Sequence, residues 1–147
     1  MQETFDYLKK LPVNYLSTIS LSGGGGIIAP NCRPFGDPVL FDGKIYMLTL
    51  ASKTVARELA ANPHVCIVAY DESDRQFDED GTWLRVHCEA IDDSENQRAK
   101  QCIIDEFDWA EEAGYTLDNP DFKCYYLKNA HSEIRNADGE ILASYDF

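Results

Sequence analysis

Basic residues are scarce in this chain of 147 residues, and their scarcity argues against two classes of partner. Lysine and arginine together number 13 against 26 aspartates and glutamates, so the formal net charge is −13. Nucleic acids and anionic membrane surfaces both bind basic protein faces, so neither is expected as a partner. An anionic ligand would have to be held by a local group of cations, for which Arg33, Lys53 and Arg85 are the candidates.

Long apolar runs are also missing. No segment is apolar over the length that spans a bilayer. Residues 1–6 contain neither the basic nor the apolar region of a secretory signal. We therefore expect a cytoplasmic protein.

The cysteines lack the spacings of disulfide frameworks and metal sites. An odd number cannot all pair, and none forms a Cys-x-x-Cys motif, so we predict buried thiols in a reducing compartment. The cysteines are Cys32, Cys66, Cys88, Cys102 and Cys124. A metal site built from His64, Cys66, His87 and Cys88 is not expected, because alternation along a strand puts the last two on opposite faces.

No set of side chains indicates acid–base or nucleophilic catalysis. The three histidines have no partner at a readable spacing, and no Ser-His-Asp or Cys-His set is evident. His131 has no visible carboxylate partner and is expected to be a satisfied surface histidine. No catalytic residue is assigned from the sequence.

What the chain does contain is the material for one folded domain, residues 1–147. Apolar residues make up 44% and aromatic residues 12%, which excludes a disordered chain. The pattern predicts about seven short strands, two or three helices and hairpin turns, which indicates an antiparallel barrel with peripheral helices. Helices are predicted at 4–11, 55–61 and 94–107, and the strands include 15–21, 27–35, 39–41, 45–50, 65–70, 82–92, 122–127 and 130–135.

Three segments are predicted to be connections. Phe41-Asp42-Gly43-Lys44 is predicted to be a hairpin turn. The run Ser22-Gly-Gly-Gly-Gly26 would need a following helix to form a phosphate loop, but Ile27-Ile28-Ala29-Pro30 follows, so a hairpin tip is predicted. The acidic segment 71–81 is read as a solvated loop.

An anion-binding site is predicted where the strand at 45–50 meets the next helix. Ser52 is the expected N-cap, and Val55, Ala56, Leu59 and Ala60 are expected on the buried face. The first helical turn presents free backbone N–H groups beside a lysine and hydroxyls, which suits a phosphate. The alternative is that Ser52 only caps the helix and Lys53 is solvated.

Arg33 favours the binding interpretation. If its strand pairs with the strand at 39–41 or 45–50, its guanidinium and the Lys53 ammonium can converge on one ligand. A second candidate surface lies on the strand at 82–92, where Trp83, Arg85, His87 and Glu89 share one face and Leu84, Val86, Cys88 and Ala90 face the core. An exposed ladder of polar and aromatic side chains is the alternative for the first set.

These segments, in this order, resemble the pyridoxamine 5′-phosphate oxidase-like FMN-binding split-barrel proteins, most closely the short nitroimidazole-resistance-type branch. The matching pieces are Pro30-x-x-Arg33-Pro34-Phe35, Phe41-Asp-Gly-Lys-Ile-Tyr46, Thr49-x-x-x-Lys53, Leu59-x-x-Asn62-Pro63 and Trp83-Leu-Arg-Val86. The resemblance covers most of the chain. Segment 71–81 departs from it, because the family usually has a shorter turn there.

The resemblance implies a mainly β fold, an antiparallel six-stranded split β-barrel (Greek key) with peripheral α-helices. It also implies a homodimer with one FMN per subunit at the interface. Thr49, Ser52 and Lys53 are then assigned to the phosphate, and Arg33 to the phosphate or the ring edge. The Pro34 and Phe35 backbone is assigned to the isoalloxazine. Trp83 and Arg85 are carried over as residues near the flavin.

Three functions remain open at this point. The first is an FMN-dependent oxidoreductase that reduces a small organic acceptor, such as a quinone or nitro compound, with a nicotinamide donor. The others are a non-enzymatic flavin carrier or sensor, and a split-barrel module for haem or deazaflavin. A pyridoxamine phosphate oxidase is least expected, because the ending Tyr145-Asp146-Phe147 lacks the arginine- and tryptophan-bearing end of that enzyme.

Overall fold

A computed structural model of the chain describes residues 1–21, 29–72 and 81–147. The predictions for the glycine-rich turn, for the start of the strand at 27–35 and for most of the acidic loop lie outside these residues. No helix among the described residues combines the length and the apolar character needed to cross a membrane.

Three helices and eight strands follow one another in the described part of the chain. They are α1 (Gln2–Lys9), β1 (Asn14–Ile19), β2 (Pro30–Phe35), β3 (Val39–Phe41), β4 (Lys44–Leu50), α2 (Thr54–Ala61), β5 (His64–Asp71), β6 (Thr82–Asp92), α3 (Gln97–Glu106), β7 (Phe122–Arg135) and β8 (Ile141–Asp146).

The strands form one antiparallel sheet. Its order is β2-β1-β5-β6-β7-β4-β3, and β8 pairs with β7 off this path. One side of β7 pairs with β6, whereas the other side pairs first with β4 and then with β8. The predicted mainly β, antiparallel class is confirmed, although the described strands number eight rather than six.

The prediction of two separate strands at 122–127 and 130–135 is wrong, because β7 runs through both. Asn129 has a φ of +50°, a conformation that asparagine tolerates better than most residues. The β6–β7 pairing shifts register between His87 and Glu89. The strand therefore absorbs an irregularity without ending, which changes its partner on the other side from β4 to β8.

A two-residue turn connects β3 to β4 as predicted. Asp42 and Gly43 both have positive φ, +49° and +68°. A turn of this kind matches the twist of the flanking strands and is common at Asp-Gly. Phe41 therefore pairs directly with Lys44.

Alternation along the strands determines which side chains form the core. The predicted core face of β6 is confirmed, since Leu84, Val86, Cys88 and Ala90 are all buried. In β5 the buried apolar residues are Val65, Ile67 and Ala69, so one face of this strand is buried within one chain. The opposite face of β5 includes Tyr70, which is 55% exposed.

The bounds of α1 and α3 differ from the prediction. Helix α1 ends at Lys9, because Lys10 already forms its C-cap, and Leu11 lies beyond it. Helix α3 begins after Asn96, whose side chain accepts a hydrogen bond from the Ala99 amide. Ser94, the first residue of the predicted helix, lies before α3 and donates its hydroxyl to the Asp92 carboxylate.

A second apolar cluster forms around α3 and the segment that follows it. Ala99 and Ile103 pack with Phe107, Tyr115 and Phe122. This cluster holds the connection between α3 and β7 close to β4 and α2. It thereby forms one wall of the cavity described next.

Candidate functional site

A cavity of about 370 Å³ opens between β2, the β4–α2 junction and the connection after α3. Its volume falls in the range of ligand-binding pockets. The cavity is lined by Arg33, Pro34, Phe35, Gly36, Asp37, Leu48, Thr49, Lys53, Val55, Trp109, Ala113 and Tyr115.

Five of the sequence-predicted site residues line this cavity: Arg33, Pro34, Phe35, Thr49 and Lys53. Arg33 of β2 and Lys53 at the start of α2 therefore line one cavity, but the predicted pairing of the Arg33 strand with the strand at 39–41 or 45–50 is wrong. Among the described strands β2 pairs with β1, and α2 reaches both strands through Glu58. The other three predicted residues, Ser52, Trp83 and Arg85, are not among the lining residues. Binding of a cofactor by any of them stays a prediction.

The prediction that Ser52 caps α2 is wrong by one residue. Lys53 is the N-cap, with the extended backbone typical of that position, and no side chain caps the helix. Ser52 is exposed in the turn before it. Because residues 51 and 52 form a turn, the helix begins only at Thr54. Lys53, and not Ser52, therefore lines the cavity.

Arg33 forms an ion pair that the sequence did not indicate. Its Nη2 donates to Glu58 Oε2 over 2.6 Å, and its Nη1 donates to Thr18 Oγ1 over 2.8 Å. Glu58 also accepts from Thr18 Oγ1 at 2.6 Å and from Asn31 Nδ2 at 2.5 Å. The carboxylate therefore binds side chains from both β1 and β2 to α2.

Glu58 is only 1% exposed, whereas Ala60, predicted on the buried face of α2, is exposed. The residue lies three positions after buried Val55, so helical spacing puts it on the inner side. Burial acts to raise its pKa, but the hydrogen bonds from Thr18 and Asn31 and the Arg33 guanidinium outweigh burial and hold the pKa below its ordinary value. Glu58 is therefore a buried anion with three donors.

The charges at the cavity are nearly balanced. Arg33 and Lys53 contribute two positive charges, and Asp37 on the lining and Glu58 behind Arg33 contribute two negative ones. Lys53 has no carboxylate partner among the described residues; its Nζ lies 3.4 Å from the Tyr115 hydroxyl. It is the lining cation most available to an anion.

Trp109 and Tyr115, from the connection after α3, form an aromatic wall of the cavity. Trp109 stacks on Phe107 with ring centroids 5.0 Å apart, and Tyr115 meets Trp109 and Phe122 edge-on. Trp109 is a lining residue that was not predicted from the sequence. Two aromatic residues in an otherwise acidic connection were the available signal.

Arg85 lies on the other face of the sheet from Arg33. Arg33 pairs with Leu16, Leu16 with Ile67, and Ile67 with Val86. Directly paired residues point to the same face, so Arg33 and Val86 share the inner face. Arg85, next to Val86, points outward.

The outward cluster around Arg85 forms the ladder weighed as the alternative from the sequence. Arg85 and Arg135 both donate to Glu133, at 2.8 and 2.9 Å, and these bonds lower the pKa of Glu133 to about 2. The two guanidinium groups also lie near the Trp83 ring. Trp83 donates its indole N–H to the Asn136 carbonyl.

His131 has a carboxylate partner that the sequence spacing concealed. Its Nδ1 lies 2.7 Å from Asp146 Oδ1, because β8 pairs beside β7. This hydrogen bond raises the pKa of His131 above its ordinary value. The side chain is 48% exposed and remote from the cavity lining, so the expectation of a satisfied surface histidine is confirmed.

The cysteines are all free, but their burial differs. Cys88 and Cys124 are buried as predicted, and burial raises the pKa of each to about 12. Cys32 is exposed on β2, where the prediction of a buried thiol is wrong. No group of three metal-ligating side chains occurs among the residues the structure describes.

Comparison with solved structures identifies the fold. A NimC/NimA family protein from Clostridium acetobutylicum superposes with a TM-score of 0.80 at 23% identity, covering 100% of this chain and 92% of that one. A protein of the same organism, related to general stress protein 26 and assigned to the pyridoxinephosphate oxidase family, gives 0.64 at 15% identity, covering 99% and 92%. A haem-binding protein from Mycobacterium smegmatis gives 0.64 at 18%, covering 98% of this chain and 56% of that one.

No family model and no curated protein matches the sequence. The likeness therefore establishes the fold, at identities too low to establish an activity. The split-barrel resemblance predicted from the sequence is confirmed at this level.

Glu58 should make the stability of the fold depend on pH. Its folded pKa lies below the ordinary 4.5, so its contribution is complete above about pH 4.5 and is lost as the pH falls through the folded value. Glu58→Gln should lower the free energy of unfolding at neutral pH by about 1–3 kcal/mol. It should also reduce the loss of stability on acidification, as measured by urea unfolding at neutral and acid pH.

Glu112→Gln is the matched control, because Glu112 is exposed. This variant should keep the acid dependence of the wild type. An equally steep acid dependence in wild type and Glu58→Gln would contradict the assigned role.

Proposed function

We propose that this chain, which has the split-barrel fold, binds FMN in the Arg33–Lys53 cavity and acts as an FMN-dependent oxidoreductase. The observation that carries the proposal is the meeting of two cations and an aromatic wall at one cavity of about 370 Å³. A phosphate and a planar ring are the two chemical features that such a lining binds.

The donors available at the cavity fit a phosphomonoester. A guanidinium has five N–H groups, and the described residues accept from two of those of Arg33. Lys53 adds an ammonium, and Thr49 adds a hydroxyl on the same lining. These donors would bind the phosphate although the carboxylates Asp37 and Glu58 balance the positive charge of Arg33 and Lys53.

FMN, when bound, supplies hydride and electron transfer between a nicotinamide donor and a small organic acceptor such as a quinone or nitro compound. The chain itself would hold the phosphate through Lys53 and Arg33. It would support the ring with the Pro34–Phe35 backbone and exclude water with Trp109 and Tyr115. No side chain is assigned a proton-transfer role.

We further propose that the working form is a cytoplasmic homodimer with the cofactor at the interface. Trp83 and Arg85 point away from the cavity of their own chain, so they can contact a flavin only in the cavity of a second copy. The outer face that carries them also exposes Tyr15 by 46% and Tyr70 by 55%. Five free thiols support a reducing compartment.

Haem is the second candidate, because one protein of this fold is described as haem-binding. Among the described residues that line the cavity there is no histidine, cysteine or methionine, and Tyr115 is the tyrosine on this lining. This lining favours a flavin over haem. A flavin carrier or sensor, or a deazaflavin protein, would use the same contacts as the proposed enzyme.

Lys53→Ala should weaken FMN binding by about 1.5–3 kcal/mol, because one charge-assisted contact to the phosphate is lost. Lys128→Ala removes the same charge from an exposed position on β7 and is the matched control. Isothermal titration calorimetry with FMN and with riboflavin measures the effect. Retention of wild-type FMN affinity by both Lys53→Ala and Arg33→Ala would show that the phosphate binds elsewhere.

Turnover separates an enzyme from a carrier. The purified protein should be yellow, should lose its colour when NADH or NADPH is added without oxygen, and should recover it when a quinone or nitro compound follows. Absorption spectroscopy records each step. A yellow protein that neither nicotinamide reduces would be a carrier or sensor, and a red-brown protein would favour haem.

The dimer can be tested by a charge placed on the outer face. Tyr15→Asp should yield monomers in sedimentation velocity and lower the FMN content, because Tyr15 is exposed on that face, where it pairs with Val68 beside Arg85. Leu117→Asp, at a residue 41% exposed on another surface, is the control. A wild-type protein that sediments as a monomer with FMN bound would rule out the shared site.

A further inference from the structure

We infer that Glu58 is a positioning residue that holds the Arg33 guanidinium at the cavity and thereby sets the affinity for a phosphate-bearing ligand. This inference rests on the proposed function, because it concerns the same cavity. It adds a residue that does not line the cavity and that no sequence motif indicates.

The geometry restricts Arg33 from two sides. Its two terminal nitrogens bind different acceptors, Nη2 to Glu58 and Nη1 to Thr18. Thr18 in turn donates to Glu58, so the three side chains form a closed ring of hydrogen bonds. A planar guanidinium held at two nitrogens has a fixed orientation.

The acceptors themselves cannot easily move. Glu58 is 1% exposed and Thr18 is 1% exposed, and Asn31 provides a further donor to the carboxylate. Asn31 and Arg33 are two residues apart on β2 and therefore share the face toward α2. The ring thus joins an edge strand, its neighbour β1 and α2, and any shift of one element would break bonds in the others.

The Arg33 side chain is therefore held in one orientation, and it still has N–H groups that can bind a ligand. Arg33 keeps a partly exposed position, 24% by its side chain, and three of its N–H groups have no acceptor among the described residues. It also lines the cavity. An arginine prepared in this way loses little side-chain entropy when it binds a phosphate, which favours binding.

Charge alone would predict the opposite effect of Glu58. A carboxylate behind an anion site repels a phosphate, so its removal would strengthen binding. Orientation predicts that removal weakens binding. Replacement of Thr18 separates the two accounts, because Thr18→Val breaks the ring without changing any charge.

The experiment compares the binding of FMN with that of riboflavin, which lacks the phosphate. The proteins are wild type, Glu58→Gln, Thr18→Val, Arg33→Ala and the double variant Glu58→Gln/Arg33→Ala. Dissociation constants come from fluorescence titration, and circular dichroism confirms that each variant is folded. Glu58→Gln should weaken FMN about tenfold, the scale of one charge-assisted hydrogen bond. Thr18→Val should weaken FMN in the same direction by a smaller factor.

Riboflavin affinity should change by less than about twofold in all variants, because it has no phosphate for Arg33 to bind. In the Arg33→Ala background Glu58→Gln should have no further effect on FMN, since Glu58 acts through Arg33. A purely structural role would weaken both ligands together and persist without Arg33.

Provided that wild type binds FMN, either of two results would overturn the inference. One is stronger FMN binding by Glu58→Gln, and the other is unchanged FMN binding by both Glu58→Gln and Thr18→Val. Wild type that does not bind FMN would overturn the proposed function itself. If Glu58→Gln fails to fold, Thr18→Val and Asn31→Ser decide. Thr18→Val removes the hydrogen bonds of Thr18 to Glu58 and Arg33, Asn31→Ser removes the one from Asn31 to Glu58, and both variants keep the carboxylate.

Discussion

A buried carboxylate stays charged only when hydrogen-bond donors surround it. This requirement determines how β1, β2 and α2 are arranged beside the cavity. Glu58 meets it with hydrogen bonds from Thr18, Asn31 and Arg33. Since these three side chains come from β1 and β2, the ion pair fixes an edge strand to α2. The helix start that presents Lys53 and the strand that presents Arg33 are thereby held on one cavity.

The same ion pair changes how an acidic protein can bind an anion. A net charge of −13 would repel a phosphate unless positive groups were concentrated locally. The cavity does not do this by excess charge, because Asp37 and Glu58 balance its two cations. What remains for binding an anion is the set of directional N–H donors and the Lys53 ammonium, which has no carboxylate partner among the described residues. Selectivity for a phosphate with a planar ring would then come from geometry and from the Trp109–Tyr115 wall.

Periodic features were readable from the sequence, whereas features that depend on a distant partner were not. Alternation located the core face of β6, and the Asp-Gly turn located the β3–β4 hairpin. The convergence of Arg33 with Lys53 was readable only in part, because the strand pairing on which the prediction depended is wrong: β2 pairs with β1 and not with the strand at 39–41 or 45–50. The burial of Glu58 was not readable, because a charged residue on the inner side of a helix is permitted only by donors 25 to 40 positions away.

The N-cap of α2 was predicted one residue too early. Residues 51 and 52 form a turn before the helix, and the presence of a serine does not show where that turn ends. Trp109 was missed because the connection it lies in has no regular period.

The most direct test is a crystal structure of the protein with the ligand it retains through purification. The account predicts FMN, with its phosphate within hydrogen-bonding distance of Lys53 Nζ and an Arg33 guanidinium still paired with Glu58. The isoalloxazine ring of the FMN would lie between β2 and the Trp109–Tyr115 wall. A ligand bound elsewhere, or an Arg33 side chain turned away from the cavity while FMN is bound, would contradict it.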